Sequence, residues 1–167
     1  EYAADVAAVP YDVVNTEEAR ALGDSSPRNL IHVDRAEIDL PEGTDPYSDA
    51  VYEKAADNFR QLQNSGVLVR EPVSCVYLYR QVWQGHTQTG IALACHIDDY
   101  GDDIIRKHEK TRPVKEDDRT RLVDSLSAHT GPIFLTYKDD PSLDSIVSSI
   151  TESISPKVDL TDENGVQ

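Results

Sequence analysis

The chain has 167 residues, 38% of them hydrophobic and 28% charged, with a net charge of −15. That length suits one globular domain with a real core; the negative charge excludes sequence-independent nucleic-acid binding, which rests on cations neutralising phosphates. No run approaches the roughly 18 apolar residues of a membrane span, so the reading is a cytoplasmic protein with no membrane partner.

Residues 1–167 are therefore expected to form a single globular domain. The sequence contains no Met, which leads to the expectation of an N-terminal fragment of a longer protein, with the remainder of its own chain as a partner. Cys75 and Cys95 are too few for a disulfide framework and lack metal-ligand spacing.

Taken in order, residues 11–14 read as a short extended run after Pro10. Asn15 with Glu18 three residues on is close to a capping box, and Gly23 is the expected stop of the helix that follows. Tyr11 and Asp12 either present a hydroxyl and a carboxylate to a pocket or serve a turn. Residues 29–33 read as a buried strand in which His32 is a satisfied core histidine. Asp45-Pro46 opens the clearest helix, with Val51, Ala55, Phe59 and Leu62 at helical spacing until Gly66. A strand is expected at residues 67–69.

Residues 75–83 and 87–97 are rich in β-branched and aromatic types about Gln84-Gly85, the pattern of a long antiparallel hairpin. Tyr77, Tyr79 and Trp83 share one face. They form either a stacking platform or, as the better expectation, a face packed on the long helix. Further on, residues 133–137 read as a strand, Asp140-Pro141 opens another helix, residues 157–160 read as a final strand, and residues 162–165 as a turn toward a partner strand.

One basic island interrupts this acidic chain. From Arg106 to Arg121 there are seven Lys or Arg and four Asp or Glu, a local charge of 7 − 4 = +3. Pro113 marks a helix start, since proline fits the first turn and disfavours helix in the residue before it. Glu116, Asp117 and Asp118 follow in the first turn. Leu122, Val123 and Leu126 supply the inward stripe, and Asp117 with Arg121 and Glu116 with Arg119 stand at helical pair spacing. A strand end feeding a helix start beside Lys and Arg is a candidate anion site, the alternative being a surface ion-pair network around the helix start. His129 and Thr130, between that helix and the next strand, line the same cleft or cap the helix.

These residues also carry a resemblance. Residues 107–113 (KHEKTRP) and 115–119 (KEDDR), with residues 8–14, 40–47 and 130–135, resemble the signature of the bacterial and archaeal family known as domain of unknown function 1015. Full-length members have an element similar to one in ParB-like free-serine kinases, which the chain does not reach. The resemblance thus implies kinship with the ParB/sulfiredoxin-like fold and a phosphotransfer role, with serine as a candidate substrate and ATP or ADP with Mg as a candidate cofactor.

The expected architecture is α/β in the α+β sense: a mixed sheet containing a long antiparallel hairpin, and three or more helices. The expected activity is that of a nucleotide- or phosphate-binding part of a phosphotransfer enzyme, the alternative being a non-catalytic ligand-sensing or interaction module. Lys107, Lys110, Thr111, Arg112, Lys115 and Arg119 are the candidate phosphate ligands, with Tyr11, Asp12, His129 and Thr130 beside them. His108 and Glu109 are the candidate general bases. His108-Glu109 lacks the second histidine of a zinc-protease helix, since residue 112 is Arg, and the surrounding cations repel a metal. No metal site is expected.

Overall fold

The computed structural model describes residues 2–108, 110–162 and 165–167. The chain forms two compact units, unit 1 from Glu1–Arg70 with His96–Gly131 and unit 2 from Glu71–Cys95 with Pro132–Gln167. The expected α+β class, with an antiparallel hairpin and more than three helices, is what these units contain.

Unit 1 is helical. It comprises α1 (Ala3–Val6), α2 (Thr16–Ser25), α3 (Ile31–Asp34), a 3-10 turn (Ala36–Asp39), α4 (Asp49–Asn64), α5 (Ile97–Gly101) and α6 (Pro113–Leu126). The 16 residues of α4 bury Val51, Tyr52, Ala55, Ala56 and Leu62 along one stripe. Leu122 and Leu126 of α6, one turn apart, close on that stripe with Val33 and Ala36. Burial of each larger side chain contributes about 1.5–3 kcal/mol before chain entropy is counted. A smaller cluster of Ala19, Ile31 and Ile38 fixes α2 against α3 and the 3-10 turn.

The capping box at Asn15 is present in both directions, at 2.9 Å from the Glu18 amide and 2.8 Å back to the Glu18 carboxylate. Gly23, however, does not stop the helix, because α2 continues to Ser25. A Cβ on Gly23 would lie 2.7 Å from Ile38 Cδ1 and 2.9 Å from His32 Cε1, so the glycine answers close packing rather than a turn.

Three further expectations in unit 1 are corrected. Residues 11–14 form a turn, with the Val13 amide donating to the Pro10 carbonyl. The run at 29–33 is a short helix, started by Asn29 Oδ1 accepting from the Ile31 amide at 2.9 Å. Its apolar residues serve two clusters, which a strand with one inward face could not do. Residues 67–69 are not a strand either: the amides of Val67 and Leu68 both donate to the Leu62 carbonyl, folding the chain back over the end of α4. Asp45 holds a turn before α4, accepting from the Tyr47 amide at 3.0 Å, and Ser48 rather than Asp45 stands at the N-cap position, with no side-chain hydrogen bond to the helix amides.

His32 is a satisfied core histidine, as expected. Its Nδ1 is 2.8 Å from Asp39 Oδ1, and its Nε2 is 3.1 Å from the Gly23 carbonyl oxygen. Buried Asn58 completes this network by donating to the His32 carbonyl and to Asp39.

Unit 2 holds β1 (Tyr77–Trp83), β2 (His86–Ala92) and α7 (Pro141–Ser153). The strands pair antiparallel from Tyr77↔Ala92 to Trp83↔His86. Gln84 and Gly85 both have positive φ, the mark of a type I′ hairpin turn. Asp140 caps α7 by accepting from the Ser142 amide, and hydrogen bonds from the Ser142 side chain, then from the Ser142 and Leu143 amides, hold its carboxyl below the usual range. Residues 133–137 and 157–160 are not strands, and β1 with β2 is the sheet among the described residues. Tyr77, Tyr79 and Trp83 are exposed, at 49%, 62% and 54%, so the aromatic face is not a packed one. Cys75 and Cys95 are free and exposed.

Candidate functional site

The basic island enters α6 as its sequence requires. Arg112 stands at the N-cap with extended backbone, and Pro113 follows in the first turn without a side-chain cap on the amides. Four-residue spacing then places Lys115 and Arg119 on one flank of α6, while Asp118 and Leu122 turn inward.

Arg119 is held on three sides. Its guanidinium lies over the Tyr11 ring at 3.9 Å, its Nη2 is 2.9 Å from Asp118 Oδ2, and its Nη1 is 3.9 Å from Asp34 Oδ1. Thr130 donates its hydroxyl to the same Asp34 carboxylate. Burial pushes the Asp34 carboxyl up, opposed by the Thr130 hydrogen bond and by Arg119. Asp118 is 7% exposed and accepts from the Tyr52 hydroxyl at 2.9 Å. Burial, and then that bond to Asp118, push the Tyr52 phenol up to about 12.

Lys115, one turn before Arg119, points its ammonium toward two aromatic rings, 5.7 Å from Tyr11 and 5.8 Å from Tyr47. Tyr11 is itself anchored by Arg35, whose Nη1 donates to the Tyr11 and Val14 carbonyls at 2.9 and 2.6 Å. Arg35 also pairs with buried Glu37 at 2.7 Å. The helical pairs expected of Arg121 and Arg119 are replaced by pairs with other partners. Arg121 bonds Asp49 of α4 at 2.6 Å and the Tyr47 carbonyl at 2.7 Å.

Of the residues singled out from sequence, Tyr11, Lys115, Arg119 and Thr130 therefore share one constellation. Lys107 instead lies over the Tyr100 ring at 3.9 Å. His108, Lys110, Thr111 and Arg112 are exposed along the connection into α6, and Asp12 and His129 are exposed as well. Glu109 lies outside the described residues. Sequence reasoning missed Asp34, Tyr47, Tyr52 and Asp118 as members of the site. Tyr47 and Asp118 both fall inside the motif runs at 40–47 and 115–119, which is the signal available for them.

An open groove between α4 and α6 is lined by Asp49, Glu53, Asp57 and Asp124 with Arg60 and Arg121. Four carboxylates against two guanidiniums give that groove a net negative lining, which repels a phosphate. Among the described residues no three His, Cys, Asp or Glu side chains are grouped to hold a metal ion.

The family model described as "Protein of unknown function (DUF1015)" matches residues 1–167. The chain belongs to the DUF1015 family. No curated protein and no solved structure matches this DUF1015 chain. Its helices include none long and apolar enough to cross a membrane, among the described residues.

Proposed function

We propose that this DUF1015 chain binds a phosphate-bearing small molecule, a nucleotide first among them, on the Lys115 flank of α6. The observation that carries the reading is the gathering of Lys115 and Arg119, one turn apart on α6, with Tyr11 and Tyr47 from distant parts of the chain, the lysine ammonium lying 5.7 and 5.8 Å from the two tyrosine rings. Arg119 spends its charge on Asp34 and Asp118 and so frames the site. Lys115 meets the ligand.

Phosphate oxygens suit Lys115 together with Lys110 and Arg112, beside a helix start whose amides carry no side-chain cap. The rings of Tyr11 and Tyr47 offer faces to a base. Magnesium, with no three-carboxylate group among the described residues to hold it, would arrive with the nucleotide phosphates and take at most one or two protein carboxylates, Asp12 being the exposed one beside Tyr11. Likeness to ParB-like serine kinases extends the reading to phosphotransfer, with His108 or Glu109 accepting the proton of a serine hydroxyl. Kinship of fold with those enzymes is part of the proposal and does not by itself fix the reaction.

The internal pairing of Arg119 and Arg121 favours a second reading, a sensing or interaction module that binds the same ligand class without turnover. Thermal unfolding with ATP, ADP, pyrophosphate and serine tests binding. A ligand at 100 times its Kd adds about 2.7 kcal/mol, which is several degrees for a chain of this size. The expected result is a rise with nucleotide or pyrophosphate that Lys115→Ala removes. No rise with any of them, or a rise that Lys115→Ala leaves intact, contradicts the site; phosphate release from ATP separates the kinase from the module.

A further inference from the structure

Both aromatic walls beside Lys115 are held by the same device. Tyr11 and Tyr47 stand in turns, where a side chain is placed only as firmly as its backbone is fixed. At Tyr11 the fixing group is Arg35, whose Nη1 donates to the Tyr11 carbonyl at 2.9 Å and to the Val14 carbonyl at 2.6 Å. Its Nη2 donates to the Thr16 hydroxyl at 3.0 Å and its Nε to Glu37 Oε1 at 2.7 Å, so every nitrogen of the fork is in use. At Tyr47 Arg121 plays the same part, donating to the Tyr47 carbonyl at 2.7 Å and to Asp49 Oδ1 at 2.6 Å.

Stability alone does not account for these clamps. The Arg35 and Glu37 side chains are 17% and 5% exposed, and a buried ion pair does little more than recover the hydration it gives up. Asp49 is 92% exposed, and a surface pair adds little. What each fork supplies is geometry, since its rigid donors reach a tyrosine carbonyl and a carboxylate together, which a lysine ammonium does not reproduce. Tyr11 is gripped a second time through its ring: Asp34, the residue before Arg35, pairs with Arg119, whose guanidinium lies over that ring.

We propose that Arg35 and Arg121 are positioning residues that hold Tyr11 and Tyr47 as the walls of a base subsite, and so set the preference of the site for a nucleotide over bare pyrophosphate. This rests on the phosphate reading of the Lys115 flank. Both guanidiniums act through the tyrosine carbonyls, while the phosphates meet Lys115. Loss of a clamp therefore weakens recognition of the base and spares that of the phosphates.

Arg35→Lys and Arg121→Lys keep a cation opposite Glu37 and Asp49 and remove the fork; the Arg121 side chain is 37% exposed, so that variant leaves the core untouched. In the ligand-free chain, NMR reads the ring-current displacement of the Arg119 side-chain protons by Tyr11 and of the Lys115 side-chain protons by Tyr47. Arg35→Lys removes the first and Arg121→Lys the second, while the Leu122 and Leu126 methyls keep their shifts. By titration calorimetry each variant weakens ATP about tenfold, the worth of one stacked base, and pyrophosphate by less than about twofold. Arg35→Lys adds nothing to Tyr11→Ala, nor Arg121→Lys to Tyr47→Ala, as groups acting through one another require. Ring-current displacements unchanged in both variants overturn the positioning role, whether or not a ligand binds. Where they are lost, equal weakening of ATP and pyrophosphate, or weakening of neither, overturns the base subsite. A parent chain that binds neither ligand overturns the phosphate reading and the base subsite with it, and the ligand-free displacements still decide whether the clamps hold the rings.

Discussion

Asp34 and Tyr52 are the two side chains whose ionisation the fold alters most clearly around Arg119. Asp34 has its carboxyl raised, chiefly by burial, so the native state favours the protonated form. Its stabilising contribution is complete below the ordinary carboxylate pKa and fades as pH rises through the raised one. Asp34→Asn keeps an acceptor for Thr130 and removes the buried charge. The variant should therefore gain on the parent as pH rises from about 3 toward 7, measured by urea midpoints across that range. Tyr52 has its phenol raised from 10.0 to about 12, so its contribution is full below the lower value and is lost between the two. Tyr52→Phe should flatten the alkaline limb of stability over that interval and, by deleting the donor to buried Asp118, cost about 1.5–3 kcal/mol at neutral pH. The charged residues at the start of α6 are legible in sequence because Lys and Arg stand out against an acidic chain. Asp34 is not, since one aspartate among many has no local mark and its role depends on a partner, Thr130, from the other end of the unit.

At the scale of elements, caps and prolines are legible and short apolar runs are not. Asn15, Pro113 and Asp140 act within a few residues of themselves, so local sequence suffices to place α2, α6 and α7. Residues 29–33 and 67–69 are too short for periodicity to separate strand from helix or from a fold-back over a helix end. Gly23 misleads for another reason: its cause is the tertiary approach of Ile38 and His32. Gly23→Ala should consequently destabilise by about 1–3 kcal/mol through overpacking, although alanine favours helix by about 1 kcal/mol; chemical denaturation decides the sign. Asn15→Ala should cost about 1 kcal/mol. The Lys110→Ala/Arg112→Ala double change touches exposed side chains only and should leave stability within about 0.5 kcal/mol, while weakening pyrophosphate binding in a titration.

For the molecule as a whole, apolar burial is concentrated in unit 1, where α4 and α6 share one core, and unit 2 has no buried residue among those described. Local opening should follow that difference, with amides of α4 and α6 exchanging through larger openings than those of α7. The overall charge of −15 adds a background that repels anions, so saturable binding of a phosphate must come from a built site. The measurement that bears most directly on that site is an NMR titration of the 15N-labelled chain with pyrophosphate. Saturable shifts centred on Lys115, Arg119, Tyr11 and Tyr47, and lost in Lys115→Ala, are the predicted result. Shifts absent from those four residues up to millimolar pyrophosphate, or the same shifts in Lys115→Ala, would contradict it.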